Sequence, residues 1–252
     1  GDRQRLGLRH SDIGADRGGR RGADAVSDEA CGVGIGPGPF GHRHVLAGEA
    51  AFLDLGREDH LGVADVFERE PPVVVGRRAL VSRFRYPERQ REEAHFARWF
   101  GERGYEVLTL DPSLYFEGAG DLLGFPDTWF GGYRQRSDIR AFPKLSEIFQ
   151  REIIPLELID SRFYHLDTCF CPLSGGDLLY LPLAFDSYGQ AAIAERVPED
   201  RRLAVPQEEA LRFACNAVCI GKQVVIPAGC PLTTKLLEDR GYRAHPVQLD
   251  EF

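Results

Sequence analysis

Helix-opening signals recur in this 252-residue sequence near residues 87, 137, 187 and 231, and each follows two short strand-like runs and precedes a third. A single ββαβ unit cannot bury the apolar face of its own helix, so several in series must pack together around a shared core. The first unit reads Val73–Val75, Ala79–Phe84, a helix opened by Pro87 with the stripe Phe96, Trp99 and Phe100, a stop at Gly104, and Tyr105–Leu110. The second reads Asp121–Phe125, Trp129–Tyr133, a helix opened by Ser137 with Ile139, Phe142, Leu145 and Phe149 inward, and Ile153–Ile159. Pro143 is the awkward residue of that helix, where it predicts a kink or a delayed start. The third runs Tyr164–Pro172, Leu178–Pro182, a helix near Ser187–Arg196 and Leu203–Val205, and the fourth Phe213–Ile220, Gln223–Pro227, a helix from Pro231 to Arg240 and Tyr242–Leu249. The expected class is α/β, a closed quasi-symmetric arrangement of small sheets. Two unrelated α+β domains are the competing reading.

The remaining composition narrows function mostly by exclusion. A net charge of −8 repels phosphate backbones and anionic lipid, so nucleic acid is not an expected partner and a cationic small molecule is. No apolar run approaches the roughly 20 residues that span a bilayer, and residues 1–30 lack a signal-peptide core, so no membrane is expected and the cytoplasm is the default location. The six cysteines, Cys31, Cys169, Cys171, Cys215, Cys219 and Cys230, then read as reduced thiols. Residues 1–60 form an irregular segment: 12 of the 28 glycines fall in the first 50 positions, with no sustained apolar period. Residues 61–252 form the folded domain.

Three constellations bear chemistry. Glu117 follows Tyr115-Phe116 and precedes Gly118, Gly120 and Asp121, where backbone can approach a ligand closely, although a solvent-facing turn explains the same residues. His165 and Asp167 alternate along an expected strand and would share one face, which suits acid/base work; a core histidine bonded to backbone is the plainer alternative. As zinc ligands, His165, Cys169 and Cys171 would be spread over about 20 Å of strand, too far for one ion, and no metal site is expected. The arginine clusters Arg83, Arg85, Arg89, Arg91 and Arg134, Arg136, Arg140 are solvated faces by default and bidentate carboxylate binders otherwise.

Taken together, F-E-G-A-G-D at 116–121, G-Y-R-Q-R-S-D at 132–138, F-Y-H-L-D-T-C-F-C-P-L at 163–173, A-F-D at 184–186 and F-A-C-N-A-V at 213–218 resemble the pentein superfamily of guanidino-modifying enzymes. The likeness is to dimethylarginine dimethylaminohydrolases, arginine deiminases and arginine dihydrolases over roughly 73–252, with glycine amidinotransferases more distant. The resemblance implies a five-bladed α/β propeller with its fifth blade incomplete here. It implies hydrolysis of the guanidino group of arginine or methylarginine through a covalent amidino-cysteine, giving citrulline plus an amine or ammonia, or ornithine, with no cofactor. Glu117 and Asp167 match the guanidinium-binding and catalytic acids and His165 the general acid/base. Arg89 and Arg136 would hold the substrate α-carboxylate, with Asp65 and Asp121 also in the substrate site.

Two departures qualify the match. The family nucleophile is a cysteine just after a stretch resembling Val247–Phe252, where this sequence stops, and none of its six cysteines occupies that place. The resemblance treats Cys215, Cys219 and Cys230, the available substitutes, as structural thiols. Upstream, Ala64-Asp65-Val66-Phe67 is followed by Glu68-Arg69-Glu70 without the expected asparagine, and no methionine occurs even at position 1. Residues before about 72 are therefore expected to include an out-of-frame or damaged stretch, which resequencing of the gene tests. A non-catalytic guanidinium binder and an amidinotransferase are the alternative functions, and the sequence allows a homodimer.

Overall fold

Each of the four units folds as one three-stranded sheet in which the middle strand is antiparallel to the first and parallel to the third. The computed structural model describes residues 72–248. The elements are β1 (Val73–Val75), β2 (Arg78–Leu80), α1 (Pro87–Glu102) and β3 (Glu106–Leu108), then β4 (Leu122–Phe125), β5 (Thr128–Tyr133), α2 (Ala141–Phe149) and β6 (Ile153–Glu157). They continue with β7 (Phe170–Pro172), β8 (Leu178–Tyr180), α3 (Ser187–Arg196) and β9 (Arg202–Ala204), and after a short α4 (Gln207–Ala210) with β10 (Val218–Ile220), β11 (Gln223–Pro227), α5 (Pro231–Asp239) and β12 (Arg243–Val247). The long helix in each unit is the crossover that a parallel pair requires. The repeat read from the sequence is present, and the two-domain alternative falls with it. The fold is mixed α/β built from small separate sheets.

Local chemistry explains most boundaries. In α1 Pro87 stands at the first helical position, and Phe96 and Phe100, four residues apart, are buried against Val74, Ala79, Val81 and Phe84. The α2 helix starts at Ala141, four residues later than expected, because Ser137 is engaged elsewhere. Pro143 then sits in the first turn, where no intrahelical N–H is due, in keeping with the delayed start. Ile139 precedes the helix and is exposed rather than inward, while Phe142, Leu145 and Phe149 are buried as expected. Asp186 caps α3 by accepting from the Gly189 N–H at 2.7 Å.

Neighbouring units are tied through aromatic rings and single bridges. The Phe130 and Phe170 rings lie 5.0 Å apart between the second and third units, and Phe170 packs edge-on to Phe185. Bridges join Arg83 to Phe116 and Leu158 to Phe185. Trp129, Phe116, Phe130, Phe163, Phe170 and Phe185 are fully buried together in the larger core.

The start of α5 has no cap of its own and borrows one. Glu209, buried on α4, accepts from the Leu232 and Thr233 N–H groups at 2.8 and 2.7 Å and from the Thr233 hydroxyl at 2.7 Å. Glu209→Ala strips the acceptor from all three donors, two of them buried on Thr233, and is expected to cost about 3 kcal/mol. Glu209→Gln, which keeps one acceptor oxygen, should cost about half of that. Urea unfolding of both variants checks the ordering.

Candidate active site

Two short 3-10 turns, Gly118–Asp121 and Leu166–Thr168, bring the chemistry together. The expected strand through His165 and Asp167 does not form: only Phe170–Pro172 pairs, and His165 is the extended residue just before a turn that contains Asp167. Their proximity therefore comes from tertiary packing and the turn, not from a pleat. Gly118 has φ +84°, which lets the chain leave Glu117 sharply. The motif 132–138 forms the facing loop, in which Arg134 adopts φ +96°, an uncommon conformation for arginine, with its guanidinium on Glu157 at 2.8 Å. That loop delivers Arg136 and Ser137.

Glu117 is fully buried yet satisfied on both oxygens: Oε1 accepts from the Arg85 N–H at 2.9 Å and Oε2 from Arg136 Nη1 at 3.0 Å. Its own N–H donates to Ser137 Oγ at 2.9 Å. His165 is 1 % exposed and lies between two carboxylates, with Nε2 3.6 Å from Glu117 Oε2 and Nδ1 3.2 Å from Asp121 Oδ2. Asp121 also accepts from Ser137 Oγ at 2.6 Å and from the Leu166 N–H at 3.0 Å. Arg136 is stacked by two tyrosines, its Cζ 4.8 Å from the Tyr86 ring centre and 5.2 Å from that of Tyr164, and its carbonyl accepts from Arg85 Nε. The Tyr164 ring meets the His165 imidazole edge-on at 5.1 Å. A buried carboxylate is tolerated only with cations or several donors around it, and this site supplies both.

Burial raises the Asp167 carboxyl from an ordinary 3.8 to about 6; nearby His165 opposes the rise and the Asp121 charge adds to it. Asn216 Nδ2 reaches the Asp167 carbonyl at 3.4 Å. Below about pH 4 the group is neutral folded or unfolded, whereas above about 6 it is charged in both states and only the folded state bears the desolvation penalty. Stability attributable to Asp167 therefore falls as pH rises from about 4 to about 6, by on the order of 3 kcal/mol. Asp167→Asn is expected to melt above the parent at about pH 7 and level with it at about pH 4, which thermal melts in matched buffers check.

Glu117, Asp121, His165 and Arg136 are thus brought together, with Asp167 close enough to act on His165 and Asp121. Arg89 is engaged on its own helix, paired with Glu92 at 2.9 Å and laid over the Phe84 ring at 4.0 Å. Asp65 and the boundary near residue 60 lie outside the described residues. Sequence reasoning missed Ser137, assigned as a helix opener, and also Gly132 and the tyrosines 86 and 164; Arg85, placed in a basic cluster, reaches Glu117 through its backbone N–H. The motif 132–138 contained the signal for the first two.

The described cysteines do not resemble an activated nucleophile. Burial pushes the thiols of Cys169, Cys171, Cys215 and Cys230 up, Cys169 further so through Cys215, Asp167 and Asp121. The Cys169 thiol donates to the Leu166 carbonyl and that of Cys171 to the Ala217 carbonyl. Partly exposed Cys219 accepts from the Ser174 N–H at 3.3 Å. Among the described residues no group of three or more His, Cys, Asp or Glu side chains is arranged around a metal position.

No family model matches the chain. It is 39% identical over 211 residues to the bifunctional arginine dihydrolase/ornithine cyclodeaminase ArgZ of Synechocystis sp., covering 83% of this chain and 30% of ArgZ. It is 34% identical over 173 residues to the dimethylarginine dimethylaminohydrolase of Mycobacterium tuberculosis, covering 69% of this chain and 56% of that protein. The chain thus spans under a third of the length of the bifunctional relative. Among solved structures, the N-terminal domain of cyanobacterial ArgZ, crystallised with substrate as a cysteine-to-serine mutant, superposes with a TM-score of 0.71 at 40% identity, covering 73% of this chain and 68% of that one. With that domain matched over two thirds of its length, the chain belongs to the pentein superfamily, in the family of arginine dihydrolases and dimethylarginine dimethylaminohydrolases.

Proposed function

We propose that this chain recognises the guanidinium of arginine or a methylated arginine and belongs to a protein that hydrolyses it. The observation that carries the reading is that a guanidinium already rests on Glu117: Arg136 donates to the buried carboxylate at 3.0 Å while stacked between two tyrosines. Substrate would replace that guanidinium, and Arg136, freed, would turn to the substrate carboxylate, which also suits its planar fork. The raised Asp167 carboxyl supports the same reading, since a bound cation beside it favours the ionised form.

The chemistry follows from the poor electrophilicity of a guanidinium carbon. Glu117 and Asp167 would hold the planar cation while a thiolate adds to its carbon; the C–N bond then breaks as His165 protonates the departing amine. Water, deprotonated by His165, would add next and the C–S bond would break. A covalently bound reaction intermediate has been solved in the N-terminal domain of ArgZ. None of the described cysteines suits the thiolate role, an observation that favours a second reading, guanidinium binding without turnover by this polypeptide. A five-bladed α/β propeller whose fifth blade is incomplete in this chain, and a cytoplasmic location, consistent with free thiols at all five described cysteines, complete the proposal.

Calorimetric titration with arginine and monomethylarginine, beside assays for citrulline, ornithine and ammonia, separates the readings. Binding with product supports the hydrolase. Binding without product supports the binder. Absence of binding by either compound overturns both. Near pH 6 binding should release a proton from Asp167, read as a heat that depends on buffer ionisation enthalpy.

A further inference from the structure

We propose that Asp121 is a positioning residue, not a substrate ligand: it holds His165 in the Nδ1-protonated tautomer, and Ser137 holds Asp121. Asp121 is fully buried and its oxygens are committed, Oδ1 to the Leu166 N–H at 3.0 Å and Oδ2 to Ser137 Oγ at 2.6 Å and to the neighbourhood of His165 Nδ1 at 3.2 Å. With each oxygen already accepting a hydrogen bond and the imidazole standing against Oδ2, Asp121 does not present a free pair of oxygens to fork a guanidinium. Nδ1 and Oδ2 stand at ion-pair distance without hydrogen-bonding alignment in this unloaded site, and such contacts commonly tighten and align when substrate arrives.

The geometry on the other nitrogen completes the argument. Nε2 faces Glu117, the carboxylate that already carries a guanidinium, so Nε2 is the working nitrogen. A proton on Nδ1 directed at Asp121 leaves the Nε2 lone pair free to take and return a proton, the arrangement in which a carboxylate fixes an imidazole without itself reacting. Ser137 closes the system because its single hydroxyl donates to Asp121 and accepts from the Glu117 N–H, tying both carboxylate-bearing segments to the loop that carries Arg136. Glu117, Asp121 and Asp167 are the charged groups that face the imidazole, and all three are retained in Ser137→Ala.

The kinetic side of this inference rests on the function proposed above; the tautomer does not, and the test uses both. In the full chain labelled with 15N-histidine, long-range proton–nitrogen correlation at neutral pH should show His165, identified by loss of its signals in His165→Gln, protonated on Nδ1. Asp121→Asn, whose amide can donate to Nδ1, should move the proton to Nε2. Ser137→Ala should give a mixture that Ser137→Thr restores, which keeps the test open if Asp121→Asn fails to fold. An Nε2-protonated parent, or a tautomer indifferent to Asp121→Asn and to Ser137→Ala, overturns the proposal. For arginine, Asp121→Asn should leave Kd within about threefold and lower kcat, where turnover is present, about 10- to 100-fold. A Kd that rises by 30-fold or more with the tautomer intact makes Asp121 a substrate ligand and also overturns it. Failure of the parent to bind arginine removes only the functional reading, and the tautomer still decides.

Discussion

Replacing Glu117 by glutamine is expected to weaken arginine binding about 100-fold, or roughly 2.7 kcal/mol, as measured by titration calorimetry. Both carboxylate oxygens accept hydrogen bonds in this structure, one from the Arg85 N–H and one from Arg136. Glutamine keeps one acceptor and turns the other into a donor, so it must face either the Arg85 N–H or the Arg136 guanidinium with an N–H. The lost charge weakens any guanidinium at that place, and burial keeps water from substituting for it. Part of the effect is structural: one orphaned buried donor costs about 1–3 kcal/mol, which thermal unfolding of the ligand-free variant registers separately. Arginine affinity within threefold of the parent would remove Glu117 from the binding role.

Gly132→Ala is expected to destabilise the fold by about 1–3 kcal/mol and to lower arginine affinity about tenfold, although a methyl group is all it adds. The added Cβ would stand 2.7 Å from Leu166 Cβ, 3.1 Å from Asp121 Oδ1 and 3.3 Å from the Leu166 N. The two Leu166 atoms are tied to the backbone, and the Asp121 carboxylate is pinned by the Leu166 N–H and by Ser137 Oγ. Leu166 is fully buried beside His165, so the turn has to move and the Asp121–Leu166 hydrogen bond opens. The glycine is required for space, since Gly132 is not among the residues with positive φ. The same substitution at Gly101, inside α1, meets only Val107 Cγ2 at an ordinary 3.8 Å and should stabilise by about 0.5–1 kcal/mol. Opposite signs for the two variants in denaturant unfolding test whether close approach is the cause.

Much of the architecture was legible because helices and hairpins announce themselves locally. Pro87 and Pro231 at first helical positions, the 96/100 aromatic pair of α1 and the Gln223–Pro227 run all form as read. The misreadings share one origin. Ser137 carries a helix-cap signature, yet its hydroxyl is used by Asp121 and Glu117, residues 16 and 20 positions away in sequence. His165 and Asp167 alternate as in a strand, yet the chain turns there because Asp121, 44 positions before His165, holds the Leu166 N–H. In each case a buried carboxylate in need of donors outweighed a local preference worth about 1 kcal/mol or less.

The amino-acid order by itself determined the period of four ββαβ units, the apolar faces they bury and the identity of the acids, imidazole and arginines available for chemistry, since these rest on contacts within a few residues. Tertiary structure alone decided which of those groups meet: that Arg136 rests on Glu117, that Asp121 stands at Nδ1 of His165, and that Arg89 stays with Glu92 on its own helix. The reason is that hydrogen-bond donors for a buried charge are recruited from whichever segment the folded core brings near, and that proximity is set by the packing of neighbouring units.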